Sequence, residues 1–218
     1  MDMKHTDETH PTDHRAGTSD HTAGQHSSVP SEIGELIDDI SYLMDEADAL
    51  APLIGLVPFD EDPGDGYSIF RWLKLIDFAQ TMSIEPLIRG RGQTIDEILH
   101  PAEIENVFDK RSDDHNGVLD SHEKERHIQA LLKQIHENRA RLTGLCNELS
   151  PAEWSLPVEL YPHQTERLQD VVREWVRWER ACLKKMADRV LVYQKEMHSR
   201  REIRQKRSSR EGHGTPRN

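Results

Sequence analysis

The chain has 218 residues, 40 Asp plus Glu against 28 Lys plus Arg, a net charge of −12 and two cysteines, which together fit one ordinary helical or mixed domain with tails. Its longest nearly continuous apolar stretch, Leu50 to Phe59 with two prolines, falls far short of the roughly 18 residues of a spanning helix. The acidic balance excludes a general nucleic-acid binder, which needs a concentrated basic face, and two cysteines 36 positions apart make neither a disulfide framework nor a zinc-ligand spacing.

Residues 1–30 are rich in Thr, Ser, Asp and Gly, carry a net charge of −3 and hold no apolar run of a signal peptide, so a disordered segment on a cytosolic protein is expected. Its five histidines (His5, His10, His14, His21, His26) suit a metal-chelating tail by type, yet they are scattered through a polar segment with no apolar stripe, which favours a solvated tail. Residues 31–198 carry −14, and residues 199–218 form a basic tail of +5, expected to be disordered, with Arg200, Arg201, Arg204, Lys206, Arg207 and Arg210. That tail has the charge to meet an acidic partner, RNA or the acidic core, whereas the core itself offers nothing to nucleic acid.

The first periodic stripe begins after Pro30, with Ser31 as cap, and places Ile33, Leu36, Ile37, Ile40, Leu43, Met44, Ala47, Leu50 and Ala51 on one helix face. Prolines 52, 58 and 63 and glycines 64 and 66 then break the chain. Ser68 caps a second helix that turns Ile69, Trp72, Leu73, Ile76 and Ala79 inward and ends or kinks near Pro86. Residues 89–121 are polar and only locally helical, at Thr94–Leu99 and Pro101–Phe108. The third stripe is Ile128, Leu131, Leu132, Ile135, Leu142, Leu145, Cys146 and Leu149, interrupted by Asn138 and Arg139, a polar pair that belongs either to a buried network or to a solvent-facing end. Ser150-Pro151-Ala152-Glu153 is a capping box that opens a short turn presenting Trp154. The fourth stripe runs through Leu168, Val171, Val172, Trp175, Trp178, Cys182, Met186 and Val190 to about His198. No run alternates with period two for long enough to demand a strand, so the expected fold is all-α, a four-helix bundle with a long polar crossover between helices two and three.

The order of these features resembles the DinB-like superfamily of bacterial four-helix bundles over about residues 33–192. The resemblance rests on Gly64-Asp65-Gly66-Tyr67-Ser68-Ile69 at the start of helix two, on Leu149 to Trp154, and on Leu168 to Trp175 at the start of helix four. It implies a divalent metal held by one histidine of helix two and an i, i+4 pair of helix four, with open positions for thiol transfer, isomerisation or hydrolysis. At the three matching positions this chain has Leu75, Trp178 and Cys182, and Ser68–Pro86 and Glu166–Met197 contain no histidine. Leucine and indole do not coordinate a divalent metal. The triad is therefore expected to be vestigial, its space filled by core or opened as an apolar ligand pocket, with no catalytic residue and no cofactor carried over.

One polar cluster competes for a metal. From Ser112 the chain reads close to a calcium loop, with Asp114, Asn116, Asp120 and Glu123 as ligands and Gly117 at the turn, although serine replaces the first carboxylate and only one loop is present. The same residues also suit an acidic crossover ending at a helix N-terminus. Glu123 and His127, at i and i+4, make two ligands of an incomplete zinc site. Three expectations follow: a metal-free, non-catalytic binding or interaction protein, for a small molecule or a protein and with a homodimer within the family's range; a metal-dependent thiol transferase or hydrolase with ligands drawn from Asp113 to His127; or a calcium-binding module.

Overall fold

The computed structural model describes residues 31–62, 64, 67–91, 101–111, 121–161 and 164–211. The fold is mostly helical. Helices α1 (Ser31–Ile54), α2 (Ile69–Ala79), α3 (Glu85–Arg89), α4 (Pro101–Arg111), α5 (Ser121–Glu148), α6 (Pro151–Trp154) and α7 (Leu168–Glu211) are joined by one hairpin, β1 (Pro157–Tyr161) and β2 (Gln164–Arg167). Four long segments share one core: α1 packs on α5 and α7, and α2 packs on the same two helices, while α4 leans on α2 and α7.

The apolar stripes account for this packing. Ile33, Leu36, Ile40, Leu43 and Ala47 of α1 face Ile69, Leu73, Ile76 and Ala79 of α2, Ile128, Ile135, Leu142 and Cys146 of α5, and Leu168, Val172, Met186 and Val190 of α7 in a single buried cluster. At roughly 1.5–3 kcal/mol for each large side chain taken out of water, this cluster is what overcomes the ordering entropy of the chain. Among the described residues, no helix is long and apolar enough to cross a membrane.

The expected caps form. Ser68 Oγ accepts from Arg71 N at 3.1 Å, and Ser150 with Glu153 closes the reciprocal box, Ser150 N donating to Glu153 Oε2 at 2.7 Å. Two features refine the sequence-based expectation and two differ from it. First, near Pro86, where an end or kink is expected, α2 widens into a π-helical turn, Gln80–Ile84, in which Glu85 N donates to Gln80 O, and continues as α3 only to Arg89. Pro86 has no N–H to give the Met82 carbonyl and its ring would crowd that group, and a wider turn relieves both. Second, a hairpin does form, pairing Pro157 with Arg167 and Val158 with Glu166, with an irregularity between Glu159 and Tyr161; Leu168 N closes it onto Leu156 O at 2.9 Å. Third, α5 runs unbroken through Asn138 and Arg139. Fourth, α7 continues past residue 198 to Glu211, so most of the basic tail expected to be disordered is helix. Helix-favouring Arg, Lys, Glu and Gln and the i, i+4 pairs His198–Glu202 and Glu196–Arg200 explain the extension.

Candidate functional site

The helical face that presents the three expected metal positions is core. Leu75 is fully buried, Cys182 is buried, and Trp178 packs against the same cluster with its ring edge-on to Trp175, centroids 5.3 Å apart. Burial pushes the Cys182 thiol up to about 12, with Lys185 pulling it down and Glu179 and Glu105 adding to the rise. Cys146, buried on α5, is likewise pushed up to about 12. Both are protonated, inert thiols in this environment.

The Asn138–Arg139 pair resolves into a buried network. Arg139, on α5, donates through Nε to Glu179 Oε1 of α7 at 2.7 Å, a second time to the same oxygen through Nη2, and through Nη1 to the Leu43 carbonyl of α1 at 2.9 Å. Gln80, the first residue of the π-helical turn, adds Nε2 to Glu179 Oε1 at 2.9 Å. One guanidinium and one carboxylate thus tie together all four long segments. Asn138 extends the network toward the surface, giving Nδ2 to Asp77 Oδ1 at 2.8 Å and accepting at Oδ1 from Gln134 and Arg141. Desolvation raises the Asp77 carboxyl, and the Asn138 bond opposes that rise. Burial would also raise Glu85, but hydrogen bonds and charge from Arg89 and Arg141 outweigh it and hold the group low. Sequence periodicity flagged Arg139 but not Glu179 or Gln80; both sit four residues beyond a buried stripe position, Trp175 and Ile76, and that spacing is a signal for them.

The chemistry-bearing concavity lies one turn outside Cys182. An open pocket of about 490 Å³ is formed by Tyr67, Trp72, Glu105, Lys185, Asp188 and Arg189, with Val192 at its edge. Tyr67 and Trp72 stack with centroids 6.0 Å apart and planes 15° apart. Lys185 Nζ and Arg189 Cζ sit 5.8 and 5.5 Å from the Trp72 ring centre, within range of its negative face. Arg189 Nη1 also donates to the Tyr67 carbonyl at 3.2 Å, which fixes the loop before α2 against α7. The Tyr67 phenol is raised by burial and by the Glu105 and Asp109 carboxylates, with Arg71 working against them. The pocket therefore combines an aromatic wall, two cations and two carboxylates. Neither it nor the buried cavity beside Glu179 is lined by Leu75, Trp178 or Cys182.

The acidic crossover is only partly placed. Asp114, Asn116 and Asp120 lie outside the described residues, as do Thr94–Leu99 and the histidines of residues 1–30. Glu123 is half-buried in the first turns of α5, and His122 and His127 are exposed there. Among the described residues, no three His, Cys, Asp or Glu side chains stand close enough to hold a metal ion. Comparison with known proteins adds no assignment: no family model, curated protein or solved structure matches the chain.

Proposed function

We propose that this chain is a bacterial, cytosolic four-helix bundle of the DinB-like type whose metal triad has been replaced by Leu75, Trp178 and Cys182, and that it works as a non-catalytic binding protein. Its ligand is a small amphoteric molecule carrying a flat ring, held in the pocket between Tyr67, Trp72 and α7. The observation that carries this reading is the placement of Lys185 and Arg189 over Trp72 in an open pocket that also contains Glu105 and Asp188. A carboxylate or phosphate on the ligand meets the two cations, an amine meets the two carboxylates, and the ring adds to the Tyr67–Trp72 stack. Burial of Leu75 and Cys182 supports the vestigial triad, because a side chain packed on all sides leaves no open coordination position.

Calorimetric titration with tryptophan, indolepropionate and tryptamine tests the pocket, since these share one ring and differ in charge. Tryptophan is expected to bind more tightly than either singly charged analogue, and Lys185→Glu is expected to abolish that preference. Equal binding of all three, or none, would remove the pocket assignment. Metal analysis of the purified protein tests the other half: stoichiometric zinc, nickel or manganese that survives deletion of residues 1–30 would return the chain to the metal-dependent transferases or hydrolases, with ligands outside helices α2 and α7. Calcium that raises the melting temperature would assign the crossover instead, since a ligand bound only by the native state stabilises it.

A further inference from the structure

The buried network encloses a space of its own. Beside Glu179, with Gln80, Arg139 and Trp175 among its walls and aliphatic side chains of α1, α2, α3, α5 and α7 completing them, lies a cavity with about 20 Å³ of room for water centres. A single water needs roughly 10–15 Å³ by that measure. Two polar atoms of its lining residues are buried without a protein partner: the acceptor Gln80 Oε1 and the donor Trp175 Nε1. Gln80 is 1 % exposed and Trp175 4 %.

The orientation of each group is fixed by its chemistry. Gln80 Nε2 donates to Glu179 Oε1, so exchanging the amide nitrogen and oxygen would set two acceptors against each other. The indole nitrogen is a donor only. Glu179 Oε1 already accepts three N–H groups, from Gln80 Nε2, Arg139 Nε and Arg139 Nη2, and Arg139 Nη1 is committed to the Leu43 carbonyl. What the site lacks is therefore neutral and paired: one acceptor for the indole N–H and one donor for the amide oxygen.

We infer that this cavity is an internal hydration site holding one water molecule, which accepts from Trp175 Nε1 and donates to Gln80 Oε1. The size admits nothing much larger, and the complementary orphans match a molecule that donates and accepts at once. An apolar guest would leave both groups unmet. Gln80, immediately after the buried Ala79 and one helical turn beyond Ile76, serves Glu179 with one end of its amide and the water with the other.

A crystal structure at a resolution that shows ordered solvent tests this on the unaltered protein. The expected result is one density peak in the cavity within hydrogen-bond reach of Gln80 Oε1 and Trp175 Nε1. An unoccupied cavity, or a Trp175 indole donating to a protein carbonyl, would overturn the inference. In solution, magnetic relaxation dispersion of water is expected to count one fewer long-lived internal water in Gln80→Met and in Trp175→Phe than in the parent; an unchanged count in folded variants would also overturn it. Because the density of the parent protein decides the question alone, a variant that fails to fold does not shelter the proposal.

Discussion

Arg139 on α5 and Glu179 on α7 form an ion pair at the centre of the helical core, with side-chain exposures of 1 % and 12 %. Such a pair recovers its desolvation cost only when the remaining donors are also satisfied. Here they are matched across four helices: the Leu43 carbonyl takes the outer guanidinium nitrogen, and Gln80 adds a third donor to the carboxylate oxygen that Arg139 already holds. The network links the four helices to one another, because each contributes one polar group to it.

Removing one partner leaves a buried charge without its counter-ion. Arg139→Met is therefore expected to lower the unfolding free energy by about 3–5 kcal/mol, read from the urea midpoint at unchanged slope. Replacing both, Arg139→Met with Glu179→Leu, is expected to cost less than Arg139→Met alone. The residual cost belongs to the Gln80 amide, left without its partner at about 1–3 kcal/mol, whereas the Leu43 carbonyl keeps its place in the helical ladder of α1. A double variant less stable than the single one would show that the two side chains are not held mainly by each other.

The two cysteines give a chemical readout of the same core. With both thiols pushed up to about 12, neither is expected to react with a disulfide reagent near neutral pH in the native state, and both are expected to react once denaturant is added. The linkage has a definite sign. An unfolded thiol loses its proton above about 8.5 while the native one keeps it, so between those values the unfolded state binds fewer protons and stability falls as pH rises. Each thiol then removes about 1.4 kcal/mol per pH unit over that window, and nothing below it. Urea midpoints across an alkaline pH series check this, and Cys146→Ala with Cys182→Ala should flatten the decline.

Local rules in the sequence were enough for much of the fold. The α1 stripe, the Ser68 cap and the Ser150–Glu153 box are all encoded within a few residues of where they act. The hairpin was hidden by its length: Val158 and Leu160 are buried and Glu159 is exposed, but three alternating residues after a proline are too few to separate a strand from a loop. The π-helical turn has no composition of its own, and only Pro86 hints at it. The pocket was out of reach for a different reason. Tyr67, Trp72, Glu105 and Arg189 come from the loop before α2 and from α2, α4 and α7, and nothing short of the packing of α2 and α4 on α7 sets them side by side.

The capping box offers a smaller and more local test. Ser150 satisfies Glu153 N at the start of α6, and the Glu153 carboxylate returns a bond to Ser150 N. Ser150→Ala removes the hydroxyl and is expected to cost about 1 kcal/mol. The effect should reach further than four helical residues, since α6 presents the fully buried Trp154 ring and packs on α7. A matching drop in melting temperature without a change in helical content checks that assignment.

The last part of α7 is helix without burial. From His198 to Lys206 each residue is exposed, and the ion pairs along it are surface i, i+4 contacts of about 0.3–0.5 kcal/mol each. A helix of this length is marginal in isolation, so it is held as a continuation of the packed turns before it. Those turns are anchored: Val190 is buried, and Tyr193 donates its hydroxyl to the Glu61 carbonyl at 3.3 Å. Truncation after Met197 is expected to shift the unfolding free energy by less than about 1 kcal/mol while lowering helical ellipticity. Truncation after Arg189 removes Val190 and Tyr193 and is expected to cost several times as much. If the shorter deletion alone lowers stability strongly, the basic extension must be held against an acidic surface, and light scattering of both forms at low and high salt would show whether that surface belongs to a second copy of the chain.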